Sequence, residues 1–278
     1  MLGKVDYLST HASRQLHGSF LQTGFAVLVN HPVSKDLIAN TYADWQRFFA
    51  LPSRFNYLFD QASQTGYRPA ALSEKAKGYN HIDLKEFFNY YEGGVCPPHA
   101  LENTRRLRAE LLKVAHALLA WVEQEMPPAV QQKLSEPLSQ MVAGSTKHLF
   151  RPMHYPAFTG AEVEGALRAA PHEDINFITL LPASTAPGLQ VKDIEGVWHE
   201  LDCDPGALIV NIAEMLDIAT GGYYPATTHQ VVNPQGPLAS KPRFSMPFFM
   251  HARPEVYLTP QRTVGDLLQE RLIELGLA

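Results

Sequence analysis

Short apolar runs, bounded by proline, glycine and aspartate, recur through the second part of the chain, about residues 146 to 258. Runs of this length and spacing are typical of the closely spaced strands of a double sheet. The runs cover residues 177–181, 188–191, 198–201, 207–212 and 243–250. The pattern predicts a mainly β fold with flanking helices, in which a double-stranded β-helix, or jelly roll, forms the core.

The first part, about residues 1 to 145, has the signals of a largely helical region. The predicted elements are a helix from Ser9 or Thr10 toward Gly24, a buried strand at 25–29, a helix from Ser34 that ends before Pro52, and a helix over 101–125. A capping-box-like start at Thr263 to Asp266 predicts a last helix that reaches Leu275 and stops at Gly276. We therefore expect one compact unit composed of a helical part (1–145), a jelly-roll core (146–258) and a carboxy-terminal helix (259–278).

Composition narrows the class of partner. The formal net charge is −5, without a basic run, which argues against a nucleic-acid surface. No run of eighteen apolar residues could cross a bilayer, and the amino terminus lacks an apolar signal core. Cys96 and Cys203 have no metal-site or disulfide spacing. These features favour a cytoplasmic protein with a small-molecule partner; the oligomeric state stays open, with a monomer favoured.

Three residues carry the chemical signal. On a strand, residues two apart point the same way, so His172 and Asp174 would project toward a common point. His229, far along the chain, can return across a barrel as a third ligand. Two imidazoles and one carboxylate can occupy one face of a ferrous ion and leave the other face open. The spacing predicts a non-haem iron site.

A later pair repeats the same spacing. Arg243 and Ser245 would place a guanidinium and a hydroxyl on one face of a strand. A guanidinium fork matches the two oxygens of a carboxylate. The pair predicts a carboxylate clamp.

A second His-x-Asp sequence, His81-Ile82-Asp83, lacks this context. The residues that follow it, 84–88, do not alternate between apolar and polar, and no paired ligand follows. Two such residues alone are weak evidence for a metal site. We do not expect His81 and Asp83 to bind metal.

With these residues in hand, the chain resembles the isopenicillin N synthase-like branch of the non-haem Fe(II)/2-oxoglutarate-dependent oxygenases. The matching segments occur in family order and extend into the first part of the chain. They are 24–32, 48–52, 151–156, 172–174, 187–191, 205–212, 228–234 and 243–249.

The resemblance implies roles for particular residues. His172, Asp174 and His229 would bind Fe(II), Arg243 and Ser245 would hold the distal carboxylate of 2-oxoglutarate, and Tyr155 would contact a cosubstrate or substrate carboxylate. Two departures stand out. Met153 occupies a position where many relatives have asparagine, and the interval from His229 to Arg243 is lengthened by residues 235–241, which we expect to form a hairpin.

Other polar and aromatic residues receive weaker predictions. Tyr67, Asn80, Phe88 and Asn176 are candidates for lining the substrate cavity. His148, His154, His199 and His251 lack ligand spacing and are expected to be surface or hydrogen-bonded histidines. The lysines at 75, 77 and 85, near Glu74 and Glu86, are expected to form a solvated face.

The resemblance implies an oxygenase that uses Fe(II), 2-oxoglutarate and dioxygen to hydroxylate, desaturate or cyclise a small molecule, with release of succinate and CO2. Three alternatives remain open. They are an oxidase like isopenicillin N synthase that does not use 2-oxoglutarate, a zinc hydrolase, and a non-catalytic binding protein on the same scaffold. Substrate identity is not encoded in any motif of the chain.

Overall fold

The computed structural model describes residues 3–76, 78–201 and 204–274. The α-helices of this part of the chain are α1 (Ala12–Thr23), α2 (Lys35–Ala50), α3 (Pro98–Glu125), α4 (Pro128–Gln131), α5 (Leu138–Val142), α6 (Glu214–Thr220) and α7 (Val264–Glu274). The strands are β1 (Lys4–Asp6), β2 (Phe25–Val29), β3 (Gly66–Arg68), β4 (Glu86–Asn89), β5 (Leu149–Phe150), β6 (Met153–Tyr155), β7 (Ala169–His172), β8 (Ile178–Pro182), β9 (Leu189–Lys192), β10 (Trp198–Glu200), β11 (Leu208–Ile212), β12 (His229–Val231), β13 (Arg243–Ser245), β14 (Phe248–Met250), β15 (Tyr257–Thr259) and β16 (Arg262–Thr263).

The strands form a jelly roll, as the sequence predicts. A six-stranded sheet has the order β1-β2-β11-β8-β14-β5. Two four-stranded sheets, β10-β9-β12-β7 and β13-β6-β4-β3, form the second layer, and β15 pairs with β16. Except for the parallel pair β1 and β2, the pairings within these sheets are antiparallel.

Strand β2 shows why the six-stranded sheet is covered on both faces. Its side chains alternate between the two faces, as the strand period requires. Ala26 and Leu28 belong to the cluster that the helices bury, whereas Phe25 and Val27 belong to the cluster between the sheets. The result is three layers, with helices outside the six-stranded sheet and the smaller sheets opposite.

The helix ends follow the local signals closely. The hydroxyl of Ser34 accepts a hydrogen bond from the Leu37 backbone N–H at 3.2 Å and starts α2. Thr263 and Asp266 exchange hydrogen bonds of 2.7–3.1 Å, which is the predicted capping box of α7. Helix α1 begins at Ala12, slightly later than predicted. The predicted end of α7 at Leu275 and Gly276 lies outside the described residues.

Two predictions near the end of the jelly roll are wrong. The run 243–250 is two strands in different sheets, β13 and β14, because Pro247 cannot donate a backbone hydrogen bond to a ladder. Residues 235–241 do not form a hairpin, since β12 and β13 lie in different sheets; the segment holds a short 3-10 turn at Gly236–Leu238.

The first part of the chain contributes more than helices. Strand β2 pairs with β11, and β4 pairs with β6, so strands from before residue 145 complete sheets of the jelly roll. Within the described residues, no helix is long and apolar enough to span a membrane.

Candidate active site

His172, Asp174 and His229 converge between the two layers of the jelly roll. One ligand atom from each lies within 4.8 Å of the others. Strands β7 and β12 pair with His229 directly opposite His172, and the two ring centroids are 4.3 Å apart. Nε2 of His229 is 3.7 Å from Oδ1 of Asp174. The three side chains therefore form a group that could hold one metal ion.

Asp174 reaches this group differently from the prediction. Strand β7 ends at His172, so Asp174 lies beyond the strand and the alternation of one strand does not place it. Its Oδ2 instead accepts hydrogen bonds from the Thr179 hydroxyl at 2.6 Å and from Nδ2 of Asn211 at 2.8 Å. Two strands of the opposite sheet, β8 and β11, thus hold the carboxylate.

The two imidazoles have a defined tautomer. Nδ1 of His172 lies 2.8 Å from the Ala170 carbonyl, and Nδ1 of His229 lies 3.2 Å from the Thr227 carbonyl. Because a carbonyl only accepts hydrogen bonds, Nδ1 carries the proton in each ring. Nε2 is then left with a free lone pair, which is the form that binds metal.

The protonation states of His172 and Asp174 are those that bind a divalent cation. Burial lowers the pKa of His172 to about 4, and the charges of His229 and Lys85 act in the same direction. Burial raises the pKa of Asp174, but the two histidines and the hydrogen bonds from Thr179 and Asn211 lower it more, so its pKa lies below the ordinary value. A neutral imidazole and a carboxylate are ligands for Fe(II) and Zn(II) alike.

Arg243 and Ser245 lie on one strand, β13, and both line the same cavity as the metal-ligand group. Arg243 is 1% exposed; its Nη2 donates to the Ser184 hydroxyl at 2.7 Å and its Nε to the Ala186 carbonyl at 3.1 Å. Nη1 is buried and has no hydrogen-bond partner among the described residues. A buried guanidinium nitrogen without a partner is costly, so the site is suited to an anionic ligand.

Tyr155 lies beside this guanidinium. The Arg243 Cζ is 5.0 Å from the centre of the Tyr155 ring, and strand β6 pairs Tyr155 directly with Arg243. Met153 also lines the cavity, and its sulfur accepts a hydrogen bond from the Tyr155 hydroxyl at 3.7 Å. Tyr155 is thus next to the Arg243 guanidinium.

The cavity around these residues has a volume of about 1000 Å³. Its apolar lining residues include Leu149, Phe249 and Leu268. The segment that contains Glu74 and Asn80 forms another part of the lining. The volume leaves room for a small organic molecule in addition to a metal and a dicarboxylate.

An ion cluster formed by Glu74, Asp83, Lys85 and Arg151 lies on this cavity wall; Asp83 and Lys85 are buried, and Glu74 and Arg151 are half-buried. Lys85 Nζ is 2.7 Å from Asp83 and 3.6 Å from Glu74, and Arg151 is 3.1 Å from Glu74. Burial raises the pKa of Glu74, but the positive charges of Arg151 and Lys85 lower it by more, so that the pKa is about 2. The prediction that Lys85 and Glu74 belong to a solvated face is therefore wrong; Lys75 is exposed, and Lys77 lies outside the described residues.

Tyr67 and Phe88 do not line the cavity, which corrects their predicted role. They are paired on β3 and β4, and both rings contact Phe48 of α2 in the core. The Tyr67 hydroxyl donates to Glu86 and accepts from Nε of Arg54. Asn89, one residue after Phe88, lines the cavity instead, because alternate residues of β4 face opposite ways.

Asn80 and Asn176 both line the cavity, in different ways. Asn80 is exposed and belongs to the outer part of the lining. Asn176 is buried, and its Nδ2 donates to the Ile178 carbonyl at 2.6 Å and to the Thr179 hydroxyl at 3.2 Å. The Asn176 amide therefore supports Thr179, and through it Asp174.

His251 is a site residue that the sequence did not reveal. It is buried, it lines the cavity, and its Nδ1 donates to the Phe249 carbonyl at 3.2 Å. Arg151, Thr179 and Asn211 were also not singled out. Thr179 and Asn211 lie on the paired strands β8 and β11, and Arg151 and His251 directly follow the paired strands β5 and β14. No local motif records these pairings between distant strands. By contrast, His81 is exposed and is not part of the metal-ligand group.

Two family models match the chain. The model of the 2OG-Fe(II) oxygenase superfamily matches residues 147–252, the part that contains His172, Asp174, His229, Arg243 and Ser245. The model for the amino-terminal part of a non-haem dioxygenase in morphine synthesis matches residues 6–107. Together they cover both the jelly roll and the helical part.

Similar proteins agree with these matches. A crystal structure from Shewanella oneidensis, assigned as an oxygenase, is 39% identical with a TM-score of 0.89 and covers 100% of this chain and 99% of its own. A crystal structure from Caulobacter crescentus, assigned to the 2OG-Fe(II) oxygenase family, is 27% identical with a TM-score of 0.79 over 98% of each chain. A 2-oxoglutarate-dependent dioxygenase from Monascus ruber is 27% identical over 266 residues, 88% of this chain and 79% of that protein.

Proposed function

Because the chain belongs to the 2OG-Fe(II) oxygenase superfamily, we propose that His172, Asp174 and His229 hold its ferrous ion and that Arg243 and Ser245 bind the distal carboxylate of 2-oxoglutarate. The observation that carries this proposal concerns Arg243, which lines the cavity that the metal-ligand group also lines and whose buried Nη1 has no hydrogen-bond partner among the described residues. A carboxylate there would complete the hydrogen bonding of the guanidinium.

The chemistry that Fe(II), 2-oxoglutarate and dioxygen supply in this family is oxidation of a substrate coupled to decarboxylation of the oxoacid to succinate. The protein's own residues have narrower tasks. Thr179 and Asn211 orient the Asp174 carboxylate, and Arg243 with Ser245 fixes the far end of the cosubstrate.

We propose that a small molecule occupies the cavity beside the metal-ligand group, in contact with its apolar lining residues. Phe249 and Leu268 offer apolar surface there. The His251 imidazole also lines the cavity, and its Nδ1–H donates a hydrogen bond to the Phe249 carbonyl. Nε2 of His251 is thus an acceptor for a hydroxyl or amide of the substrate. A cytoplasmic location and a monomeric state stay predictions.

Anaerobic reconstitution tests the cosubstrate site. Adding 2-oxoglutarate to the Fe(II) protein should produce the weak visible charge-transfer band of an iron-bound 2-oxo acid. We expect the His172→Ala protein to lack the band. We expect Arg243→Met to raise the Kd for 2-oxoglutarate by about 100-fold or more, since a charge-assisted bidentate contact is lost, and to leave iron affinity unchanged.

Ser245→Ala is the matched variant, since it removes a hydroxyl of the same strand and keeps the guanidinium. Its Kd should rise by only about 10-fold. If Arg243→Met bound 2-oxoglutarate as tightly as the unmodified protein, the proposed binding of the distal carboxylate by Arg243 would be wrong. A His172→Ala protein that kept the band would remove that residue from the ligand set.

A further inference from the structure

Asp83 is a buried carboxylate with no role in the metal-ligand group. It is 4% exposed, although its neighbours His81 and Ile82 are exposed. Its Oδ2 accepts a hydrogen bond from Lys85 Nζ at 2.7 Å. Its Oδ1 accepts one from the backbone N–H of Ala170 at 3.0 Å. The side chain therefore connects the ion cluster to strand β7.

Ala170 is also the residue that orients the first metal-ligating imidazole. Its carbonyl accepts the hydrogen bond from Nδ1 of His172 at 2.8 Å. The N–H of Ala170 is thus held by Asp83, and its C=O holds the His172 ring. A shift of this one residue would turn the imidazole.

Strand β7 needs such an anchor because its own pairing is weak at this point. It is the last strand of its sheet, and its pairing with β12 shifts register between the pairs His229–His172 and Val231–Ala169. The intervening Pro171 has no backbone N–H to donate. The Asp83 carboxylate takes the place of a neighbouring strand, beside a backbone hydrogen bond of 2.8 Å from Leu84 to Leu167.

We propose that Asp83 is a positioning residue that fixes the orientation of His172 through the Ala170 peptide and thereby sets the affinity of the metal site. The inference rests on the proposed function of His172 as a ligand. Outer hydrogen-bond partners of ligating histidines typically change metal affinity by about 10- to 100-fold when removed. Here the partner acts through one backbone residue and not on the imidazole itself.

The test compares variants in binding Co(II), which takes the same ligands as Fe(II) and is stable in air. We expect Asp83→Ala to raise the Kd for Co(II) by about 10-fold or more. Asp83→Asn keeps an oxygen that can accept from Ala170, but a neutral amide oxygen accepts more weakly than a carboxylate, so its Kd should rise by only a few-fold. Glu86→Gln is the matched control, because Glu86 is a buried carboxylate that contacts His154 and Tyr67 and does not line the cavity.

Proton NMR of the Co(II) protein reports on the orientation of the imidazoles, and a loss of folding stability alone would leave the positions of their signals unchanged. The Nδ1 protons of the two ligating imidazoles should appear as two strongly shifted, exchangeable signals. In Asp83→Ala and Asp83→Asn, we expect the His172 signal to move and to exchange faster, while the His229 signal stays in place. In Glu86→Gln, neither signal should change.

The possible outcomes are separable. If both Asp83 variants showed the Co(II) affinity and both imidazole signals of the unmodified protein, the inference would be overturned while the metal site stood. If His172→Ala bound Co(II) as tightly as the unmodified protein, the proposed ligand set itself would fail. If Asp83→Ala does not fold, the signals of Asp83→Asn decide, and an unchanged His172 signal counts against the inference.

Discussion

At the scale of single residues, the site depends on how Asp174 is held. Its two hydrogen-bond donors, Thr179 and Asn211, come from the six-stranded sheet, whereas both histidines come from the opposite layer. A hydrogen bond to a charged acceptor contributes about 1.5–3 kcal/mol, more than a neutral pair. The carboxylate is therefore a fixed link between the layers.

Thr179→Val should weaken the metal site with little change in shape, because valine replaces the hydroxyl by a methyl group. We expect the Kd for Co(II) or Fe(II) to rise by about 10-fold, since Asp174 loses its 2.6 Å hydrogen bond. Metal titration measures the effect. Thr41→Val, which removes a buried hydroxyl bonded to the Leu37 carbonyl in α2, is the control and should leave metal affinity unchanged.

At the scale of elements, the end of α1 lies against the segment that carries His229. Gly24 ends the helix with φ of 64°, a left-handed conformation that favours glycine. A Cβ at this position would lie 1.8 Å from Oγ1 of Thr227. Thr227 supplies the carbonyl that accepts from Nδ1 of His229, so a helix in the first part of the chain constrains a metal ligand in the second.

Gly24→Ala should therefore lower both stability and metal affinity. The backbone conformation alone costs about 1–2 kcal/mol, and the contact with Thr227 adds to it. Urea unfolding and Co(II) titration measure the two effects. Gly18→Ala, in the interior of the same helix with no atom within 4 Å of the new Cβ, should instead raise stability by about 1 kcal/mol. Equal effects of the two substitutions would contradict this account of the helix end.

What could be predicted at this scale depends on how local the signal is. Ser34 and the Thr263–Asp266 pair determine helix starts through neighbours three residues away, and both predictions are confirmed. Strand β4 pairs with β6, far along the chain, and β3 pairs with β4, so local periodicity did not reveal them. Without that register, Phe88 could not be distinguished from Asn89 as the residue facing the cavity.

The same limit applies to the site. His172 and His229 were found because their residue types and order form a motif, and the family resemblance is confirmed. Asp174 does meet His172 and His229, but not through the predicted strand alternation, because β7 ends at His172 and Thr179 and Asn211 hold the carboxylate from across the fold. Burial of Lys85 depends on its meeting the carboxylates of Asp83 and Glu74, and a linear sequence does not show which charges meet.

At the scale of the whole molecule, the ion cluster of Glu74, Asp83, Lys85 and Arg151 joins a segment of the first part to the jelly roll. The folded-state pKa of Glu74 is about 2, below its ordinary value of 4.5. A carboxyl whose pKa is depressed by folding stabilises the fold above its unfolded pKa. This contribution is lost as pH falls from about 4.5 toward about 2.

Glu74→Gln should accordingly destabilise the protein most at neutral pH and least in acid. We expect a loss of about 3 kcal/mol at pH 7, because Arg151 loses its carboxylate partner and Lys85 keeps only Asp83. The difference from the unmodified protein should shrink below pH 4.5, as urea unfolding at several pH values would show. Glu195→Gln, at an exposed carboxylate, should follow the unmodified protein throughout. If the difference in unfolding free energy between Glu74→Gln and the unmodified protein did not change with pH, the depressed pKa of Glu74 would be contradicted.

Strand β2 has a consequence for synthesis on the ribosome. It is completed early, yet its antiparallel partner β11 ends at Ile212, so nearly two hundred residues must be translated before the two can pair. Until then the apolar sequence Phe25–Val29 has only β1 beside it, a short parallel partner. The nascent chain therefore carries an exposed, aggregation-prone edge through most of translation, and its yield in a cell should depend on chaperones that cover such edges.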